Sequence, residues 1–268
     1  MNSKLVTGYE GVSQSEPDIA GGTIKIGFIG KGHPISIFTW IGGRTAKLDI
    51  WDNQGKLRQC AGDTEEVHLF PDTESLSKLE NCTVGYIHNH GGVLTTGVHS
   101  DRVDIRVAGL GFPKDEHTGP SVILYVGCQT GKEKYAAGFG ILPQSRTKVF
   151  VGFNFDATMA GFGSDSFQEA FFEAFGSGCT VDEACRRGYD VIKKKESPVP
   201  FKEMISIIGN SQLTLRQVRD SLDKRDIFHK KQREADGKHL CGAACKDFKN
   251  YGFCDRPVRG AGQMCWQH

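Results

Sequence analysis

The chain has 268 residues, of which 38% are hydrophobic and 24% are charged, and its formal net charge is +1. This composition is typical of a soluble globular protein. It excludes a membrane-spanning helix, which needs roughly 18 consecutive apolar residues, and a protein that coats nucleic acid with its whole surface. Residues 1–22 are polar and have no apolar stretch like that of a signal peptide, so we expect a cytoplasmic protein.

Charge and cysteine are both unevenly distributed along the chain. Residues 216–268 contain 12 Lys and Arg against 7 Asp and Glu, so a basic tail follows an acidic body. Four of the nine cysteines lie in the last 28 residues. An odd, clustered set of cysteines indicates a reducing compartment and a metal site, whereas a secreted disulfide scaffold is short and evenly paired.

The predicted elements follow one another as in an α/β domain spanning residues 23–215, after a loose lead-in at 1–22. Apolar runs predict strands at 23–30, 35–41, 46–51, 83–90, 121–128 and 148–155, and a last strand with a turn within 204–215. Helices are predicted at 165–175 and, after a Thr180–Glu183 capping box, at 181–195. Strands separated by helices indicate a mostly parallel sheet flanked by helices. Residues 216–240 are expected to form a charged, solvated helical linker before a small module at 241–268.

Two of these strands end in reactive side chains. One ends at His88-Asn-His90, followed by Gly91, and the other ends at Gly127-Cys128. Ligands of an open parallel sheet bind outside the carboxyl ends of its strands, so on neighbouring strands the histidine and the cysteine would face one crevice. A base beside a thiol, with the N–H groups of Gly91 and Cys128 available to an oxyanion, suits nucleophilic acyl chemistry. His88 and His90 share a strand face, and the position at the strand tip favours His90 as the base.

The order of these motifs resembles that of the caspase-like cysteine peptidases, especially the CHAT branch (caspase and tetratricopeptide-associated domains). The resemblance rests on His90-Gly91, on Gly127-Cys128-Gln-Thr, on the run from 148 with the two helices after it, and on the segment 207–215. It covers residues 83–215 well and 23–82 poorly. It implies a caspase-like fold and a cysteine endopeptidase that acts on a protein or peptide substrate without a catalytic cofactor. Cys128 would be the nucleophile, His90 the base and Gly91 an oxyanion-binding residue.

The substrate is left open. Several relatives that cleave after Arg or Lys have an aspartate two residues before the nucleophile, where this chain has Val126. An acid for that pocket could instead come from Asp101, Asp104 or Asp156, so the residue preferred at the cleaved bond is not predicted. Acyl transfer or amide hydrolysis on a non-peptide substrate would use the same two side chains.

The other histidines are expected to be ordinary surface or loop residues, namely His33, His68, His99 and His117. The remaining upstream cysteines are expected to be structural thiols, namely Cys60, Cys82, Cys179 and Cys185. A nuclease metal finger at His88-Asn-His90 is disfavoured because the sequence around it does not predict the ββα context that such sites need.

The last 28 residues contain the strongest local motif, Cys245-x8-Cys254-x10-Cys265-x2-His268 with Cys241 before it. Soft ligands at this density suit a tetrahedral structural Zn²⁺, and so small a module needs the metal in order to fold. The segment is similar to short zinc modules that end in Cys-Trp-x-His, in which three cysteines and that histidine bind the metal. Either Cys241 or Cys245 could be the first ligand. Trp266 is expected to cover the site, and metal loss is expected to unfold the tail before the body.

The zinc module is also a candidate docking surface. Basic and aromatic residues interleave in it, which fits a nucleic-acid footprint, a protein-docking surface or simply a solvated face of the fold, while no membrane partner is expected. These residues are Lys246, Phe248, Lys249, Tyr251, Phe253, Arg256 and Arg259. The alternative to a peptidase is therefore a catalytically inactive caspase-like scaffold that binds a protein or nucleic acid through its basic zinc module.

Overall fold

The structure, a computed structural model, describes residues 25–30, 66–70, 77, 79–80, 82–88, 109–127, 129–154, 164–193, 199–246 and 252–268. The strands are β1 Lys25–Gly30, β2 Glu66–Phe70, β3 Val84–His88, β4 Val122–Val126, β5 Val149–Phe153, β6 Ile205–Gly209, β7 His239–Leu240 and β8 Pro257–Val258. The helices are α1 Glu133–Gly138, α2 Ser164–Gly176, α3 Val181–Lys193, α4 Phe201–Met204 and α5 Leu215–Glu234. Within these ranges no helix combines the length and the apolar character that crossing a bilayer requires.

Six strands form one mixed sheet in the order β2-β1-β3-β4-β5-β6. The first five strands are parallel to their neighbours, and β6 runs antiparallel to β5. Every residue of β4 and β5 is buried, as expected of central parallel strands covered on both faces. The predicted α/β class and the mostly parallel sheet are confirmed at this level.

Apolar layers cover both faces of the sheet, because successive side chains of a strand point to opposite faces. One set, which includes Val122, Leu124 and Val126, packs against helices α2 and α3. The alternate set, which includes Ile123 and Tyr125, packs against helix α1 and the loop before β4. The sheet is therefore the middle layer between helices. A crevice for a ligand would lie at the ends of its strands.

Capping boxes start two of the helices where the sequence places polar residues. The predicted box before α3 is present: Glu183 N–H donates to Thr180 Oγ1 at 3.2 Å, and Thr180 N–H donates to Glu183 Oε2 at 2.8 Å. An equivalent box before α5 joins Thr214 and Gln217. Such a cap satisfies backbone donors that the first helical turn leaves free.

Several elements differ from the sequence prediction. Strand β2 and the short helices α1 and α4 were not predicted. The two helices have too few residues to show a helical period, and the apolar residues of β2 are interrupted by Glu66 and His68. The predicted strands at 35–41 and 46–51 lie outside the described residues. Helix α5 was expected to be a solvated spacer, but it buries Val218, Arg225 and Phe228. Its buried face is interrupted by charge, which hides it in the sequence.

The C-terminal module is built on a two-stranded antiparallel ribbon. Strand β7 pairs with β8, with His239 opposite Val258 and Leu240 opposite Pro257. Backbone hydrogen bonds of 2.9 Å extend the pairing, from Cys241 N–H to the Arg256 carbonyl and from Cys245 N–H to the Gly252 carbonyl. The ribbon lies against α5, where Phe228, Leu240, Ala244 and Phe253 form a small apolar cluster.

Candidate functional site

Three cysteines of the module meet at one point. Cys241 directly follows β7, Cys254 lies on the other arm of the ribbon shortly before β8, and Cys265 comes from the final turn. Their three sulfur atoms all lie within 4.8 Å of one another, and all three residues are buried. Cys254 Sγ and Cys265 Sγ are 3.7 Å apart, and the backbone N–H of Cys265 donates to Cys241 Sγ at 3.1 Å. The three sulfurs are therefore close enough together to bind a metal ion.

One sulfur–sulfur distance in this group matches the spacing in a tetrahedral metal–thiolate site. Zn–S bonds of about 2.3 Å at tetrahedral angles put the sulfurs about 3.8 Å apart, close to the 3.7 Å between Cys254 and Cys265. Burial raises the pKa of the Cys254 thiol to about 12, which disfavours a free thiolate there. A bound metal cation would favour the thiolate instead, because a thiol that coordinates a metal loses its proton.

Cys245 and His268 stand apart from this three-cysteine group. Cys245 is half-buried and packs against the group, but among the described residues only Cys241, Cys254 and Cys265 have sulfurs in mutual reach. Of the two residues considered as the first ligand, the structure brings in Cys241. His268 is exposed, and its backbone N–H donates to the Cys265 carbonyl at 3.0 Å.

The aromatic residues of the module are not arranged as the sequence suggested. Trp266 is 86% exposed, so the expectation that it covers the metal site is wrong. The Arg256 guanidinium lies 5.3 Å from the centre of the Trp266 ring. Phe253 is buried against Phe228 and cannot be part of an exposed footprint. Phe248, Lys249 and Tyr251 lie outside the described residues.

The two strands that precede the predicted thiol site are neighbours. Strands β3 and β4 are adjacent and parallel, and His88 is opposite Val126 in their register. Both strands therefore end at the same edge of the sheet, about 5 Å apart. The residues of the site itself, His90, Gly91 and Cys128, lie outside the described residues, as do the side chain of His88 and the residues Asp101, Asp104 and Asp156.

The backbone on both sides of position 128 is fixed by a buried threonine. Thr130 Oγ1 lies 2.9 Å from the Tyr125 carbonyl oxygen and 3.1 Å from that of Gly127, and it accepts from the Phe153 N–H at 3.0 Å. Gln129 has φ +53°, in the left-handed region that a residue with a side chain seldom adopts. Such conformations persist where the surroundings enforce them, and they cluster at active sites and ligand clamps.

His117 lies in the loop before β4, within the expectation of a surface or loop residue, but its side chain is mostly enclosed and only 16% exposed. Its ring centre lies 4.3 Å from that of Phe228, 5.1 Å from that of His229 and 5.7 Å from that of Phe253. Burial lowers the pKa of His117 to about 4, and the carboxylate of Asp115 only partly opposes this. The loop that holds His117 has no apolar period, so the sequence gives no signal of its burial.

Two buried cations lie beneath the same loop. Lys148 is fully buried, with its Nζ 3.4 Å from the Pro113 carbonyl oxygen, and burial lowers its pKa to about 8. Arg225 donates to the Gly119 carbonyl at 2.8 Å, and burial lowers its pKa to about 10. Their charge adds to the penalty for protonating His117.

Comparisons with known proteins do not assign the chain to a family. No protein-family model matches it, and no curated protein matches it in sequence.

Proposed function

We propose that the protein is a cysteine peptidase with a caspase-like domain, in which Cys128 is the nucleophile and His90 is the base. The observation that carries the proposal is the pairing of β3 with β4, in which His88 stands opposite Val126. His90 and Cys128 each follow this pair of residues by two positions. Their chain segments therefore leave neighbouring parallel strands at the same edge, as a cysteine–histidine site requires.

The proposed reaction passes through an acyl-enzyme. The Cys128 thiolate attacks the carbonyl carbon of the peptide bond, and the C–N bond breaks as protonated His90 gives its proton to the leaving amine. His90 then takes a proton from water, which attacks the thioester and releases the carboxylic acid and the thiol. The N–H groups of Gly91 and Cys128 would donate to the oxyanion. The imidazolium of His90 would favour the thiolate by lowering the pKa of Cys128.

The turn after β4 also supports this proposal. Thr130 is fully buried and ties the end of β4 to the end of β5, so the chain around position 128 is held from two strands. The left-handed residue Gln129 directly follows position 128. A nucleophile has to be held rigidly, because a small displacement of a reacting atom lowers the reaction rate by a large factor.

The test compares wild-type protein with Cys128→Ala on a whole-cell protein extract, and new peptide N-termini are read by mass spectrometry. We expect new termini with the wild type and none with Cys128→Ala, since loss of the nucleophile removes the acyl-enzyme. Cys179→Ala is the matched control, because Cys179 is a partly exposed thiol remote in sequence from the proposed site. His90→Ala should abolish cleavage and His88→Ala should not.

Two results would contradict the proposed peptidase activity. Undiminished cleavage by Cys128→Ala removes the mechanism. A wild type that makes no new termini, and whose Cys128 resists iodoacetamide at neutral pH, favours the catalytically inactive scaffold instead.

We also propose that the metal held by the C-terminal module is Zn²⁺ with a structural role. The support is a set of three buried sulfurs within 4.8 Å of one another, with Cys254 Sγ and Cys265 Sγ 3.7 Å apart, and the Cys265 N–H donated to Cys241 Sγ. Soft thiolates favour zinc over Mg²⁺ or Ca²⁺, which take oxygen ligands. His268 would complete the tetrahedron according to the Cys-Trp-x-His resemblance, and half-buried Cys245 is the other residue at hand.

Metal analysis of protein purified without chelator tests this proposal. We expect one zinc per chain in the wild type and loss of most of it in Cys265→Ser, because each thiolate supplies one of four bonds. Cys245→Ser and His268→Ala then identify the fourth ligand, since the one that lowers zinc affinity is the ligand. Protein that contains no stoichiometric zinc would contradict the proposal.

A further inference from the structure

The outward face of the C-terminal module has a composition that the metal site does not explain. Trp266 is 86% exposed and Met264 is 65% exposed, and these two residues flank the buried Cys265. Tryptophan is highly buried on average in folded proteins, so a side chain this exposed is available to a partner.

A cation is already placed on this face. The Arg256 guanidinium lies 5.3 Å from the centre of the Trp266 ring. Arg256 is itself exposed and comes directly before β8, opposite Cys241 in the ribbon. The pair therefore offers a flat aromatic surface with a positive charge at its side. It lies on the ribbon that contains the three-cysteine group.

The surroundings of this pair are positively charged. Residues 256–268 contain two arginines and no Asp or Glu. Over the described residues from 230 to 268, seven Lys or Arg are exposed against three Asp or Glu. One of those three acids, Asp255, is paired with Lys231 at 2.7 Å. The charge of this part of the chain therefore favours an anionic partner.

We propose that the face formed by Arg256, Met264 and Trp266 binds single-stranded nucleic acid, with an unpaired base stacked on Trp266 and phosphates held by the surrounding cations. Stacking on an aromatic side chain together with a basic surface is how proteins bind single strands without reading their sequence. An acidic protein segment would satisfy the charge but would leave the indole ring without a flat partner. This inference is independent of the proposed peptidase reaction.

The experiment measures the fluorescence anisotropy of a short fluorescein-labelled oligothymidylate titrated with the full-length, metal-loaded chain at low salt. We expect Trp266→Ala to weaken binding by about 5- to 150-fold, which is the usual effect of removing one stacking aromatic side chain. Trp266→Phe should weaken binding less, because it keeps a ring. Gln267→Ala, the exposed neighbour on the chain, is the matched control and should bind like the wild type.

Two further measurements separate stacking from simple charge. Arg256→Gln should lower the slope of log affinity against log salt by about 0.7, the value for one phosphate contact in a single strand. Trp266→Ala should leave that slope unchanged. Circular dichroism and metal content of each variant show whether the module is still folded.

Three outcomes would overturn the inference. The first is a wild type that does not bind the oligonucleotide at low salt, and the second is a folded Trp266→Ala variant that binds it as well as the wild type does. The third is a polyglutamate peptide that displaces the labelled strand as effectively as unlabelled oligothymidylate, which would point to an acidic protein segment as the occupant.

Discussion

The imidazole of His117 lies where three parts of the molecule meet, and it has to stay neutral there. Its ring contacts Phe228 of α5 and Phe253 of the ribbon, and its carbonyl oxygen is 3.0 Å from His229 Nε2. Its Nδ1 is 3.4 Å from Asp115 Oδ1, which is not sufficient to offset burial. Nearby Lys148 and Arg225 oppose a further positive charge.

This burial makes the stability of the fold depend on pH. The pKa of His117 falls from 6.5 to about 4 on folding. Above pH 6.5 both states are neutral and nothing is lost. As the pH falls from there toward about 4, His117 is protonated in the unfolded chain but stays neutral in the folded chain, so the free energy of unfolding decreases. We expect His117 to reduce the free energy of unfolding by about 2 kcal/mol at about pH 5.

Urea unfolding at neutral and mildly acidic pH checks this prediction in the wild type and in His117→Gln. The variant should lose less stability than the wild type as the pH falls, by the amount that His117 contributes. Other acid-sensitive groups, including metal-binding thiolates, act on both proteins and cancel in the difference. Equal pH slopes in the two proteins would contradict the assignment.

At the scale of elements, the docking of the ribbon on helix α5 depends on a glycine at the contact. Gly242 has φ +65°, and a Cβ there would collide with the His117 ring and lie 3.0 Å from Phe228 Cζ. Gly237, in the turn between α5 and β7, has φ +77°, but a Cβ there would meet no atom within 4 Å. The two glycines share a backbone requirement and differ only in the space around them.

Alanine at each glycine therefore separates backbone strain from crowding. Gly237→Ala should reduce the free energy of unfolding by about 1 kcal/mol, the cost of a side chain in the left-handed region. Gly242→Ala should cost about 1–3 kcal/mol more, because the ribbon has to move away from His117. Chemical denaturation measures both, and equal losses would mean that the ribbon does not press on the loop.

The clarity of the local pattern decided which elements could be predicted from the sequence. Strands β3, β4 and β5 are continuous apolar runs bounded by polar or glycine residues, and helix α3 begins with a capping box, so all four were predicted close to their bounds. Helix α1, with six residues, has too few positions to reveal a period. Strand β6 was predicted, but its antiparallel direction depends on the connection through α4.

At the scale of the whole molecule, the C-terminal module makes polar contacts with both the α/β body and helix α5. Arg146 Nη1 donates to the Ala244 carbonyl at 3.0 Å, and Lys231 pairs with Asp255. The Arg146 backbone N–H in turn donates to Glu116, which also accepts from the N–H of Thr147, two residues before β5. A chain of contacts thus runs from the ribbon through the loop at 115–118 to the central strands.

These contacts change what we expect metal removal to do. The sequence suggested that the tail would unfold before the body. With the ribbon packed on His117 and Arg146, we now expect chelation to loosen the loop at 113–121 and the start of β5 as well. Hydrogen–deuterium exchange with and without chelator should show faster exchange at residues 113–121 and 147–151, besides 239–268.

The matched control for this prediction is Lys231→Ala, which removes one exposed ion pair. Since exposed ion pairs contribute little, this variant should leave exchange in the body unchanged. Faster exchange confined to residues 239–268 after chelation would restore the tail-first order and show that the module unfolds independently.

The sequence by itself determined the parts of this protein that depend on neighbours along the chain. Apolar runs specify the buried strands, the capping residues specify where helices begin, and the clustering of the cysteines in the tail predicts a group of thiols able to bind a metal. The candidate pair His90 and Cys128 was also found this way, because each residue follows a strand that the sequence predicts.

Only the tertiary structure decided what depends on contacts between distant segments. It placed β3 beside β4, brought Cys241 rather than Cys245 to Cys254 and Cys265, and turned Trp266 outward. It also buried His117 between a loop, a helix and the ribbon. Burial and proximity arise from packing between segments far apart in the chain, and no local pattern of residues encodes which segments will meet.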